Sequence, residues 1–392
     1  MDKRAFIILS ATMFISMLGF GLLIPLLPIY ANTLGASNTE IGLISAGFSI
    51  SNVIFLPIMG RLSDRYGRKL FLCTGLSLMT LISFLFLLAA DATDLILLRL
   101  LHGFSTSMHF PVAQAYLGDM TPEGQEGKWM GYFNAVLFAG LGAGPLFGGS
   151  LNDLLGMDAV FIVTGLLVLI SLIATLIFLP EPAKKEATHH SSLSFAAIRN
   201  SSVLKGLLVL QMSVGIVFSV TMTFLPILAN QKLALSTTLI GVLLAIRTPV
   251  SMIQSYTGRF ADTHNRYAQI IGGNLIVLSF MILLPFSTGF WMLLVFNALI
   301  MLGIVISQPA ATAYVVEEGR TYGMGAVMAL FMTAMQTGSS IGPVAIGGVI
   351  DAFGIDAGFY TGSLMIMLGV MFFTWEMRHV PGKKPAALEG EE

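Results

Sequence analysis

Gly60-Arg61-Leu62-Ser63-Asp64-Arg65-Tyr66-Gly67-Arg68-Lys69-Leu70 separates two apolar runs, each long enough to cross a bilayer. Four of the chain's 20 basic residues lie in this stretch. Charge that dense is costly in hydrocarbon, so the stretch is predicted to be a short loop in water. Loops rich in Lys and Arg stay on the cytoplasmic side, which orients the chain around this one.

Working outward, the composition is that of a polytopic membrane protein. Of 392 residues 55% are hydrophobic and 10% charged, with mean hydropathy +0.84; soluble domains carry roughly 25% charged residues. A net charge of -1 leaves no basic face for nucleic acid. The single cysteine, Cys73, excludes an internal disulfide and CxxC metal sites. No cofactor is implied. His189 and His190 read as solvated side chains, so no metal site is assigned. The sequence lacks H-E-x-x-H, P-loop and G-x-S-x-G motifs, which argues against an enzyme.

Twelve apolar segments are predicted as transmembrane helices, approximately 6–30, 40–59, 70–90, 94–118, 128–151, 158–179, 204–229, 238–257, 267–287, 290–315, 323–350 and 357–379. With the N-terminus inside, every Lys and Arg is cytoplasmic except Lys232, outside, and Arg99 and Arg247, within spans. Both termini are then cytoplasmic, and the expected location is the inner (cytoplasmic) membrane.

An internal repeat organises the twelve. Adding 198 carries Pro28 to Pro226; Gly60, Arg61, Asp64 and Arg68 to Gly258, Arg259, Asp262 and Arg266; Pro111 to Pro309; and Gly144-Pro145 to Gly342-Pro343. Asp153, Gly156 and Asp158 likewise reach Asp351, Gly354 and Asp356. The expected organisation is an N-terminal six-helix bundle over 1–180, a cytoplasmic linker over 181–203, a C-terminal six-helix bundle over 204–380 and a disordered tail over 381–392.

The pattern G-x-L-x-D-R-x-G-R-K, together with the repeat, resembles the major facilitator superfamily, whose two parallel six-helix repeats bind substrate near the midplane. The resemblance implies that Gly60, Asp64, Arg65, Gly67, Arg68 and Asp119 form a gating loop. In it Arg68 pairs with Asp119 and Asp64 faces the start of the eleventh helix. On physical grounds Gly60 and Gly67 would permit close backbone approach, and Asp64 suits a helix N-terminus. The fifth helix carries Gly140, Gly144, Pro145, Gly148 and Gly149; the first, second and fourth recur every four residues, a smooth packing face. The whole pattern also resembles the antiporter motif of the family's drug-exporting branch.

The fourth helix holds Arg99, His102, Thr106 and His109 on one stripe, with His102 where the family usually has Gln. Arg247 sits near the middle of the eighth span. Asn134, Gln211, Gln254, Asn297, Gln308 and Gln336 are candidates either for a substrate cavity or for bonding helix to helix, and Phe138 for an apolar contact. No Asp or Glu lies deep in any span. Two buried arginines favour an anionic or neutral amphipathic substrate and leave His102 or His109 to carry protons. The expectation is a monomeric secondary transporter, working by alternating access as a proton-coupled antiporter. Its rivals are an uptake symporter or facilitator for an organic anion or sugar, and a lipid or lysolipid flippase.

Overall fold

The computed structural model describes residues 3–122, 125–181, 201–254, 257 and 265–378. Most of the expected linker, the tail, and Gly258, Arg259 and Asp262 of the second loop lie outside the described residues. Within them no strand occurs.

Helices α1 (Lys3–Leu23) and α2 (Leu27–Thr33) form the first span. They part at 24–26, where Pro25 and Pro28 withhold amide donors. Then follow α3 (Asn38–Tyr66), α4 (Arg68–Leu85), α5 (Ala92–Met120), α6 (Glu126–Leu155) and α7 (Met157–Phe178). The seventh span is α8 (Ser202–Thr223) and α9 (Leu225–Leu233), broken at Phe224 just before Pro226, the repeat partner of Pro28. The eighth is α10 (Thr237–Ala245) and α11 (Arg247–Ser251). It breaks at Ile246 because Pro249 cannot donate to the Ala245 carbonyl. Then come α12 (Arg266–Leu283), α13 (Phe290–Tyr322), α14 (Met324–Phe353) and α15 (Ile355–Met377).

Among the described residues, nine spans are long and apolar enough to cross a membrane by composition alone. The remaining three of the twelve are α5, diluted by Arg99, His102 and His109; α14, rich in glycine and hydroxyls; and the short α10–α11 pair.

The helices cluster into two units. The first holds residues 3–181 together with Ala229–Thr248, and the second holds 201–228 and 249–378. Helix α10 and the start of α11 thus pack with the first unit, although the chain continues into the second.

In the first unit, hydroxyl and amide side chains bond to carbonyls of neighbouring helices. Ser171 Oγ donates to Thr12 O at 3.0 Å, Ser105 Oγ to Gly75 O at 2.7 Å, and Asn52 Nδ2 to Gly103 O at 3.3 Å. Such bonds and close backbone approach hold helices together where lipid tails offer no hydrophobic drive.

The repeat is visible in the packing inside each unit. A side-chain carbon at Gly140 would stand 2.6 Å from Phe14 O and 3.3 Å from Leu18 N. One at Gly338 would meet Met212 O and Ile216 N, 198 positions further on in every case.

Candidate functional site

The basic loop contracts to one residue. Helix α3 runs through Tyr66 and α4 starts at Arg68, so only Gly67 turns the chain, at φ +108°, where other residues are strained. Gly60, expected to permit close approach, has open space around it because it sits within α3 on an unpacked face. Asp64 lies in the last turn of α3. Arg68, four residues on, compensates its charge. Arg68 Nε also donates to Asp119 Oδ2 at 3.0 Å, and its Nη1 to Ser63 Oγ at 2.8 Å. Arg65 lies over the exposed Tyr66 ring. Glu181, which the sequence did not single out, accepts from the Lys69 amide at 3.2 Å, placing a carboxylate at the positive end of α4.

Helix α6 continues through Pro145 and has two glycine faces. Gly140, Gly144 and Gly148 meet the backbone of α1 at Phe14, Gly21 and Leu22. Gly142 and Gly149 meet α11 and α10: a carbon at Gly149 would stand 3.0 Å from Thr238 Cα and closer still to Thr237 O. Gly241 returns the contact, with Leu146 Cα 3.2 Å from where its side chain would begin. This second face was not read from the sequence. Its signal was present as Gly142 and Gly149, seven residues apart, opposite a lone Gly241.

Arg99, His102 and His109 are buried, with 8%, 1% and 0% exposure. Arg99 Nε donates to Ile44 O at 3.3 Å and its guanidinium lies 4.4 Å from the Phe48 ring centre, while Nη1 has no partner. The rings of Phe20, Phe48 and Phe86 surround His102, with centres 5.4, 5.6 and 6.3 Å away. All four ring nitrogens of His102 and His109 lack partners. His109 packs on Gly75, whose missing side chain would stand 3.2 Å from its Cβ. The stripe therefore faces the interior of the first unit. Five guanidinium donors with one acceptor, beside two unmatched imidazoles, suit a transferable proton or a polar guest.

The other candidates fall into separate places. Gln114 Nε2 contacts Asn134 Oδ1 at 3.5 Å, and Phe138 is exposed. Arg247 is buried at the start of α11, beside the break at Ile246, rather than in mid-helix. In the second unit, Gln308 Nε2 donates to Gln211 Oε1 at 3.0 Å. There Asn297, the repeat partner of Arg99, is fully buried, Gln336 is half-buried and Gln254 exposed. The buried carboxylate among the described residues, Glu376, lies at the end of α15.

A family model for the Major Facilitator Superfamily matches residues 9–251 and 207–391. An uncharacterized MFS-type transporter of Methanocaldococcus jannaschii is 29% identical over 364 residues, covering 91% of this chain and 93% of that protein. The quinolone resistance protein NorA of Staphylococcus aureus is 27% identical over 387 residues, covering 97% and 98%. Among solved structures, an inward-facing bacterial homologue of the human lysosomal transporter Spinster aligns with a TM-score of 0.80 at 15% identity, covering 96% and 98%. The nucleoside transporter NupG aligns at 0.81 with 13% identity, covering 95% and 99%.

Proposed function

Because the chain belongs to the major facilitator superfamily, a family of multi-pass membrane transporters rather than enzymes, we propose that it exports small amphipathic, neutral or anionic compounds in exchange for protons. The observation that carries export is the end-to-end similarity to a quinolone resistance protein. The glycine face Gly140, Gly144 and Gly148 supports it. The substrate's charge is read from Arg99 and Arg247, which are buried, whereas the buried carboxylate among the described residues, Glu376, lies at the end of α15. The buried Arg99 guanidinium, whose Nη1 has no partner, favours a ligand that brings a negative or carbonyl oxygen.

His102 and His109 are the proposed proton carriers, being buried imidazoles whose ring nitrogens have no hydrogen-bond partner. The two six-helix halves, 1–180 and 204–380, are proposed to alternate access, with both termini cytoplasmic in the inner membrane.

The test uses proteoliposomes with a pH-sensitive dye inside and lipophilic cations, organic anions or sugars outside. Proton movement opposite to an anionic or neutral compound, lost in His102→Ala or His109→Ala, is the expected result. An Arg247→Ala protein should lose transport of the anion. Proton movement with cations alone, or transport of an anion unchanged in Arg247→Ala, would overturn the proposal.

A further inference from the structure

The first turn of α10 is capped from another helix. Asp153 Oδ1 accepts from the Thr237 amide at 3.0 Å and lies 2.7 Å from Thr237 Oγ1; Oδ2 accepts from the Thr238 amide at 2.8 Å and from Thr238 Oγ1 at 2.5 Å. The Thr237 hydroxyl also reaches Gly149 O at 2.9 Å, so its one proton alternates between two acceptors, while it accepts from Asn152 Nδ2 at 3.0 Å. The helix's own cap, Ser236, accepts only from the third amide, Leu239, at 3.4 Å.

The repeat shows what is unusual here. The segment 198 positions earlier opens α3, and Thr238 corresponds there to Glu40. That Glu40 completes a local capping box, accepting from the Ser37 amide at 2.8 Å. Helix α10 has no such acid, and the carboxylate that caps it belongs to α6, 84 residues away along the chain.

Asp153 also occupies a repeated position. Asp64 and Asp153 are 89 positions apart, as are Asp262 and Asp351. Three of the four stand three residues before a glycine with positive φ: Gly67 at +108°, Gly156 at +83° and Gly354 at +88°. Asp64 has Arg68 to bind, whereas the residue four after Asp153 is Met157, and its carboxylate is given wholly to the threonines. Helix α6 runs away from the end of α5 that carries Asp119, so Asp153 lies on the membrane face opposite the Gly60–Leu70 loop.

We propose that Asp153 is the gate residue of that opposite face, clasping α10 to α6 in the closed state and releasing it whenever the face opens. The glycine seam at Gly149 and Gly241 gives the closed state its fit, and the carboxylate gives it a bond that can let go. Asp153 is exposed, so water replaces its partners on release, and the first two amides of α10 are wetted rather than stranded. The segment clasped is the one that packs with the first unit while its chain leads into the second. The inference requires only the alternation of a transporter and rests on neither the substrate nor the proton.

The test measures the distance between spin labels at Leu154→Cys, at the end of α6, and Ala234→Cys, just before α10, in a Cys73→Ser protein without substrate. Asp153→Asn keeps the size but offers one acceptor oxygen in place of two. Thr237→Val with Thr238→Val removes the hydroxyls from the other side and leaves Asp153 in place. Each is expected to raise the ratio of long to short distances about tenfold, and Asp153→Glu to restore most of the short population. A cap with only a structural role would lower the melting temperature and leave the two distances in their original proportion. Unchanged distributions in Asp153→Asn and in the threonine variant would overturn the proposal, whatever the transport assays show.

Discussion

Replacing Gly140 by alanine should loosen the seam between α1 and α6 by an amount the structure sets. The added carbon would stand 2.6 Å from Phe14 O, a backbone atom that cannot swing aside. Carbon and carbonyl oxygen settle at roughly 3.3–3.6 Å, so the helices must part by about 0.7–1 Å. A gap of that size forfeits about a quarter to a half of each dispersion contact along the seam. The net cost is about 1–3 kcal/mol. Gly131, on the same helix, has nothing within 4 Å of where its side chain would begin. Alanine there should gain about 0.5–1 kcal/mol of helix propensity. Thermal unfolding of the two proteins in the same detergent should place Gly140→Ala below the parent and Gly131→Ala level with it or above. Equal melting temperatures would refute the packing role of the glycine face.

Three further outcomes follow from other contacts. A double-mutant cycle on Arg68→Ala and Asp119→Asn should give a coupling of about 1 kcal/mol, since the pair is partly exposed, and additive effects would deny the contact. His102→Leu removes two unmatched nitrogens from an aromatic cage, so it should unfold at a higher temperature by about 1–3 kcal/mol of stability while losing proton-driven transport. Retained proton coupling would remove His102 from the pathway. Tyr116→Phe loses the hydroxyl bond to the Pro180 carbonyl and should cost about 0.5–1.5 kcal/mol in the same unfolding assay, with no change expected if that bond is absent.

The spans were legible because each apolar run has charged or turn-forming ends, and because 198 positions carry one half onto the other. The first and seventh spans break near Pro28 and Pro226, which share that register. Tertiary partners were less legible. Nothing local in Thr237 or Thr238 shows that their amides meet a carboxylate 84 residues earlier. Phe20, Phe48 and Phe86 look like any packing residues until three helices bring them round His102. Periodicity places Arg247 in mid-helix because it is blind to a one-residue interruption, although Pro249 marks it. Gly60 shows the opposite limit: a motif glycine was expected to be crowded and is open.

That Ala229–Thr248 completes the first unit has a consequence for how the chain is made. When α7 has entered the membrane, the second glycine face of α6 still has no partner, and roughly 70 residues separate Phe178 from Thr248. At about 5–20 residues per second, that groove waits roughly 4–14 s for α10 to emerge. During this interval the nascent bundle is unfinished and depends on lipid or the insertion machinery to cover it. A protein severed between the sixth and seventh spans would carry that vacancy permanently, so the early helices mature only when the later ones arrive.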